Sequence, residues 1–144
     1  MFNSPKIIEG GIYKDNRGVI KFVNDFDFND IKRFYFVSNK TIEVIRAWQA
    51  HKTESKYFFV TSGEFIFQTV KIDNWNSPSH NLEVQKFILS ENNSKILHIP
   101  PGYANGFKAN LPNSTILVFS DKSLEESECD DFRFDKYMWS DWSY

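Results

Sequence analysis

The 144-residue sequence has a single cysteine, Cys129, so no internal disulfide can form and a stapled secreted scaffold is excluded. With no CxxC and no neighbouring histidine, that thiol reads as a passive residue. Histidine is also scarce: only His51, His80 and His98 occur, too few for a histidine-rich catalytic zinc site. No window approaches the ~18–20 apolar residues of a membrane span. Residues 1–11 lack the basic start and the ~7–15-residue apolar stretch of a signal peptide. The expectation is a soluble cytoplasmic protein without a membrane partner. Neither charge sign dominates, with 17 Lys and Arg against 19 Asp and Glu and a net charge of -2. That balance removes the electrostatic reason to expect nucleic acid as a partner. A small anionic ligand stays open, because a cavity needs only a few local cations. GxSxG, phosphate-loop and dinucleotide fingerprints are all missing.

Aromatic side chains are abundant instead: 15 Phe, 6 Tyr and 4 Trp. Such bulky, strand-favouring residues suit the interior of a sandwich or barrel. No repeat, linker or compositional break divides the chain, so residues 1–144 read as one domain. Strand-like runs cover 18–23, 33–37, 56–60, 64–72, 82–89, 95–99 and 115–119. Thr61-Ser62-Gly63 between two of them is a hairpin signal, and Pro100-Pro101-Gly102 forces a turn. A loop of Asn, Ser and Pro fills 73–81. Helical periodicity is confined to a short acidic segment, Ser123–Cys129. Many short strands with polar turns specify an all-β sandwich or barrel.

The densest polar cluster is Arg46-Ala47-Trp48-Gln49-Ala50-His51-Lys52-Thr53-Glu54-Ser55-Lys56. Strict alternation in an extended chain sets Arg46, Trp48, Ala50 and Lys52 on one face, and Ala47, Gln49 and His51 on the other. Gln49 and His51 then form a small polar site facing the barrel interior. The plainer alternative is a hydrogen-bonded histidine at the rim, with Lys and Glu solvated around it.

These residues resemble the two motifs of the cupin superfamily. The first motif falls on Gln49, His51, Lys56 and Gly63, and the second on Pro100, Gly102 and Asn105. More narrowly, four segments occur in the order seen in dTDP-4-dehydrorhamnose 3,5-epimerases. They are Asp15-Asn16-Arg17-Gly18, Arg46-Ala47-Trp48-Gln49, Lys71-Ile72-Asp73 with Ser77-Pro78-Ser79, and the run from Ile99 to Phe107. Ala50-His51-Lys52 is similar to the HAHK motif of the dTDP-sugar 3,4-ketoisomerases. The resemblance spans about residues 12–120.

The resemblance implies a jelly-roll cupin barrel (a double-stranded β-helix) and a homodimer. It implies a metal-independent isomerase, an epimerase or ketoisomerase, that moves protons next to the ketone of a dTDP-4-keto-6-deoxyhexose. The pathway would be deoxysugar synthesis for a surface polysaccharide. Of the four cupin metal-ligand positions only His51 keeps an ordinary ligand; Gln49, Lys56 and Asn105 do not, so no metal and no cofactor is expected. The epimerase base falls on Gln49, which cannot act as one near neutral pH. The epimerase acid, a tyrosine, falls near Leu124, with no tyrosine between Tyr103 and Tyr137.

His51 is thus the expected acid/base, with Arg46 and Lys71 as the cations that support an enolate or diphosphate. Arg17, Trp48, Gln49, Lys56 and Asn105 are the expected substrate contacts, Arg17 reaching the diphosphate in some relatives across the dimer. Trp48 and Trp75 would stack on thymine or sugar. His98 and His80 read as structural. Asp130, Asp131 and Asp135 read as a solvated acidic turn, and Trp139 and Trp142 as a tail packed on the barrel or a partner. The lost base and acid positions leave a rival from another class: a catalytically degenerate cupin that binds a nucleotide sugar or a protein partner.

Overall fold

The structure, a computed structural model, describes residues 3–143. Twelve strands and one short helix follow in order: β1 (Lys6–Glu9), β2 (Gly11–Asp15), β3 (Gly18–Phe22), β4 (Arg33–Ser38), β5 (Ile45–Ala50) and β6 (Lys56–Ser62). Then come β7 (Glu64–Lys71), β8 (Val84–Ser90), β9 (Lys95–Ile99), β10 (Tyr103–Ala109), β11 (Thr115–Ser120), α1 (Leu124–Glu128) and β12 (Phe132–Arg133). Two antiparallel five-stranded sheets have the orders β1-β9-β6-β11-β4 and β12-β5-β10-β7-β8, and β2-β3 forms a separate hairpin. This is the expected all-β jelly roll.

Alternation along the strands builds the core. Phe58 and Val60 of β6, with Ile116 and Val118 of β11, meet Phe65 and Phe67 of β7 and Phe107 of β10 between the sheets. The Phe58 ring lies 5.1 Å from Phe67 and 5.8 Å from Phe107, which ties one sheet to the other. β10 has no strand-like run in the sequence because its middle is Ala, Asn and Gly. Tertiary packing explains those choices. A Cβ on Gly106 would stand 2.5 Å from Ala47 Cβ and 2.9 Å from the Trp142 ring, so only glycine admits that ring.

Trp142 belongs to a second apolar cluster with Trp48, Val70, Ile72 and Ala104, on the opposite face of the second sheet. The C-terminal segment therefore packs on the barrel, with Trp139 and Trp142 rings 5.3 and 5.4 Å from that of Trp48.

The β6–β7 hairpin turns at Gly63, whose φ is +74° and whose added Cβ would lie 1.9 Å from Ser114 Oγ and 2.7 Å from Ser114 Cα. Gly63→Ala is expected to lower unfolding free energy by more than ~1 kcal/mol, since strain in the left-handed region and a backbone clash add. Urea denaturation checks it. An unchanged midpoint would mean that the turn relaxes freely.

Candidate active site

One cavity of about 540 Å³ opens between the sheets at the end formed by β4, β5 and α1. That size suits a small-molecule ligand. Its wall carries Arg46, Gln49, His51, Lys56 and Asn105, five of the eight residues singled out above.

Arg46 reaches the cavity by a route strict alternation does not give. Asn105 pairs with Gln49, but Phe107 pairs with Arg46, so two steps along β10 match three along β5. This β-bulge returns Arg46 to the face of Gln49 while Trp48 points the other way. Arg46 is exposed at the mouth, where its Nε donates to Asn39 Oδ1 at 2.7 Å. Gln49 Nε2 donates to Asn105 Oδ1 at 3.2 Å, a neutral pair where acidic or basic ligands would be needed to hold a metal. Among the described residues no group of three or more His, Cys, Asp or Glu is arranged to hold a metal ion.

His51 is buried, at 6% exposure. Its Nδ1 lies 2.6 Å from the Asp130 carbonyl, which can only accept, so Nδ1 carries the proton. Nε2 is buried without a hydrogen-bond partner, which leaves its lone pair free. Asp130 is the clamp behind this geometry. Its carboxylate accepts from the backbone N–H of Lys52, Thr53 and Glu54 and from Thr53 Oγ1, all within 3.0 Å. Burial pushes its pKa up, but those four hydrogen bonds outweigh it and the net shift is downward. Asp130 is therefore not part of a solvated turn, although Asp131 and Asp135 are exposed.

Below the cavity floor lies Glu54, whose side chain is fully buried rather than solvated. Its Oε1 accepts from Ser127 Oγ at 2.8 Å and its Oε2 from Ser120 Oγ. Three cationic or titratable groups converge on it: His51 Nδ1 at 3.4 Å, Arg33 Nη2 at 3.4 Å and Lys56 Nζ at 3.6 Å. Lys56 Nζ also donates to Tyr35 Oη at 2.7 Å. The α1 segment supplies Ser127, and its start is set by a capping box between Ser123 and Glu126. The Ser123 backbone hydrogen bond, with help from Lys32, pulls the Glu126 pKa down to about 2.

Sequence reasoning missed Glu54, Arg33, Tyr35, Ser127 and the role of Asp130. The one local signal was available: Glu54 and Lys56, two apart, share a face with Phe58 where the apolar strand begins. For Asp130 there was none, since its partners lie 76–78 residues away.

Three expected site residues stand elsewhere in this chain. Trp48 is fully buried on the opposite face of the second sheet, and its Nε1 donates to the Lys136 carbonyl, so no ligand can stack on it. Lys71 is exposed at the end of β7, past Thr69, the residue opposite Asn105, and borders a separate recess with Tyr103. Arg17 sits at the β2–β3 turn, its side chain 81% exposed, with Nη2 2.6 Å from Asp15 Oδ2. Trp75 packs on Phe132 at 4.9 Å, outside the cavity.

His80 is exposed, not a packed structural residue. His98 is structural: it stacks on Tyr57 at 4.3 Å and meets Ser55 Oγ at 3.2 Å. Burial, with Lys6 nearby, lowers its pKa to about 4. The folded state thus resists a proton that the unfolded chain takes up below about pH 6.5. Stability from His98 is present above pH 6.5 and drains away as pH falls toward 4. Urea midpoints at pH 7 and pH 5 check this: the drop should be smaller in His98→Gln, and an equal drop in both proteins refutes it.

The two sheets and the cavity between them define a jelly-roll cupin. The chain belongs to the FdtA family, described as WxcM-like, C-terminal, whose family model matches residues 3–139. No curated protein sequence matches it. Solved structures share the fold. A mutant of the 3,4-ketoisomerase QdtA from Thermoanaerobacterium thermosaccharolyticum, in complex with TDP-4-keto-6-deoxyglucose, superposes with a TM-score of 0.71 at 20% identity. That match covers 96% of this chain and 93% of the other. The rmlC epimerase of Mycobacterium tuberculosis gives a TM-score of 0.73 at 19% identity, covering 96% and 74%. RmlC from Legionella pneumophila, a dTDP-6-deoxy-D-glucose-3,5-epimerase in complex with dTDP-4-keto-L-rhamnose, gives 0.71 at 23%, covering 92% and 73%. No helix among the described residues is long and apolar enough to cross a membrane.

Proposed function

We propose that this chain, as a single cupin domain over 1–144, is a metal-independent isomerase of dTDP-linked 4-keto-6-deoxyhexoses. It acts in the cytoplasm, in deoxysugar supply for a surface polysaccharide. One observation carries the reading: a buried imidazole with a fixed tautomer and a free Nε2 lone pair on the wall of a cavity lined by Arg33, Arg46 and Lys56.

The chemistry follows from the ketone. A C4 carbonyl acidifies the hydrogens on C3 and C5, so isomerisation needs a base at carbon and a donor or cation at oxygen. His51 supplies the base. Gln49 cannot supply a second, and a single histidine favours moving the ketone between C4 and C3 through an enediol over two epimerisations. Arg46, exposed at the mouth, suits the diphosphate. The solved neighbours that hold TDP-keto sugars on this fold support the substrate class.

The active form is a homodimer in this reading. Phe28, Phe34 and Phe36 are each about 60% exposed on the first sheet's outer side, and Tyr13, Val19 and Ile20 on the β2–β3 hairpin are exposed as well. Apolar surface of that extent calls for a partner. Arg17, at the tip of that hairpin and outside its own cavity, is the residue we assign to the second copy's diphosphate.

The test is incubation with dTDP-4-keto-6-deoxyglucose in deuterated water. Deuterium on carbon and a new keto-sugar product are expected. Stabilisation by dTDP without any exchange would establish the non-catalytic binder instead.

A further inference from the structure

We infer that the recess beside Lys71 is a second ligand site, built for a neutral, hydroxyl-rich molecule of monosaccharide size and separate from the cavity that holds His51. It encloses about 480 Å³ where β7 ends and β8 and β10 begin, and it shares no wall residue with that cavity. The inference stands whether or not the isomerase reading holds.

Thr69 forms the inner wall. Phe65 and Phe67 point into the core between the sheets, and alternation carries Thr69 and Lys71 onto the same face. Register sets Thr69 between Asn105 of β10, on the wall of the His51 cavity, and Gln85 of β8, on the wall of the recess. Thr69 is 1% exposed, and its hydroxyl has no hydrogen-bond partner. Valine has the same shape without that unmet bond, so folding alone does not account for the hydroxyl. A ligand hydroxyl in the recess supplies the missing partner.

Tyr103 repeats the pattern. It is 8% exposed on the recess wall, burial pushes its pKa up, and its hydroxyl makes no hydrogen bond with the described residues. Lys71, Glu83 and Gln85 border the same space, also without a hydrogen bond or ion pair among those residues, whereas Asp73 is engaged by Ser79.

Charge and hydrogen-bonding capacity select the ligand. One ammonium stands against two carboxylates, Asp73 and Glu83, which disfavours a phosphate. The Thr69 and Tyr103 hydroxyls and the Gln85 amide each donate and accept, as the hydroxyls of a sugar do. Ile72, Leu82 and the Tyr103 ring offer apolar surface to its C–H face.

The experiment titrates ¹⁵N-labelled protein with D-glucose, D-fucose, L-rhamnose and inorganic phosphate at millimolar concentrations, with and without dTDP. Saturable shifts are expected at the Gln85 and Tyr103 amides with at least one sugar, and added dTDP should leave that dissociation constant unchanged. Thr69→Val and Gln85→Leu should each weaken that sugar roughly three- to tenfold, the worth of one hydrogen bond, with Thr69→Val melting no lower than wild type. Any one of four results overturns the site: no saturable shift with any sugar, tighter binding of phosphate than of the sugars, displacement by dTDP, or unchanged affinity in both variants.

Discussion

His51→Ala is expected to abolish deuterium incorporation into the keto sugar, with kcat reduced by ~10²–10⁴-fold, the usual worth of a positioned acid/base. The imidazole is held by one bond, Nδ1 to the Asp130 carbonyl, and its other nitrogen has no protein partner. Removing it therefore removes chemistry without stripping a partner from another side chain, apart from one nearby carboxylate oxygen on Glu54. Binding of dTDP, measured by calorimetry, should stay within a few-fold, because Arg46 and Lys56, cations on the cavity wall, are left in place. Exchange at the wild-type rate in His51→Ala would refute its role as base.

Glu54→Leu should give the largest loss of stability, about 3–5 kcal/mol, the range for breaking a buried ion pair from one side. The carboxylate is fully buried, and its removal takes an ionic or hydrogen-bond partner from Lys56, Arg33, Ser120 and Ser127. For a chain of this size that is on the order of 10 °C in Tm. The double variant Glu54→Leu/Lys56→Met should recover part of the loss, since the ammonium no longer lacks its counter-charge. A Tm within 2 °C of wild type in the single variant would show that the cluster is already solvated.

The strands with two or more bulky residues in phase, such as Lys56–Ser62, Glu64–Lys71 and Thr115–Ser120, were legible in the sequence to within a few residues. Tyr103–Ala109 was not legible as a strand, because its middle is Ala, Asn and Gly, with glycine at 106 so that Trp142 can approach. The motif resemblance located His51, Gln49, Lys56, Asn105 and Arg46 at one cavity, yet it assigned Trp48 and Lys71 to the same site. Trp48 fails because alternation along β5 turns it away from Gln49, and the bulge brings back only Arg46. Lys71 fails because sharing a face with Thr69 does not bring it to the same end of the strand.

What the sequence determined by itself is the local part: alternation, turn residues, the near absence of helix and the place of His51 in the polar cluster. Those signals depend on neighbours a few residues apart, where backbone sterics and side-chain period act directly. The tertiary structure alone decided what surrounds that histidine. The Asp130 clamp, the bonds of Glu54 to Arg33, Ser120 and Ser127, and the Tyr35–Lys56 contact join residues from 21 to 79 positions apart, and their distances are set by how segments distant in the chain pack together.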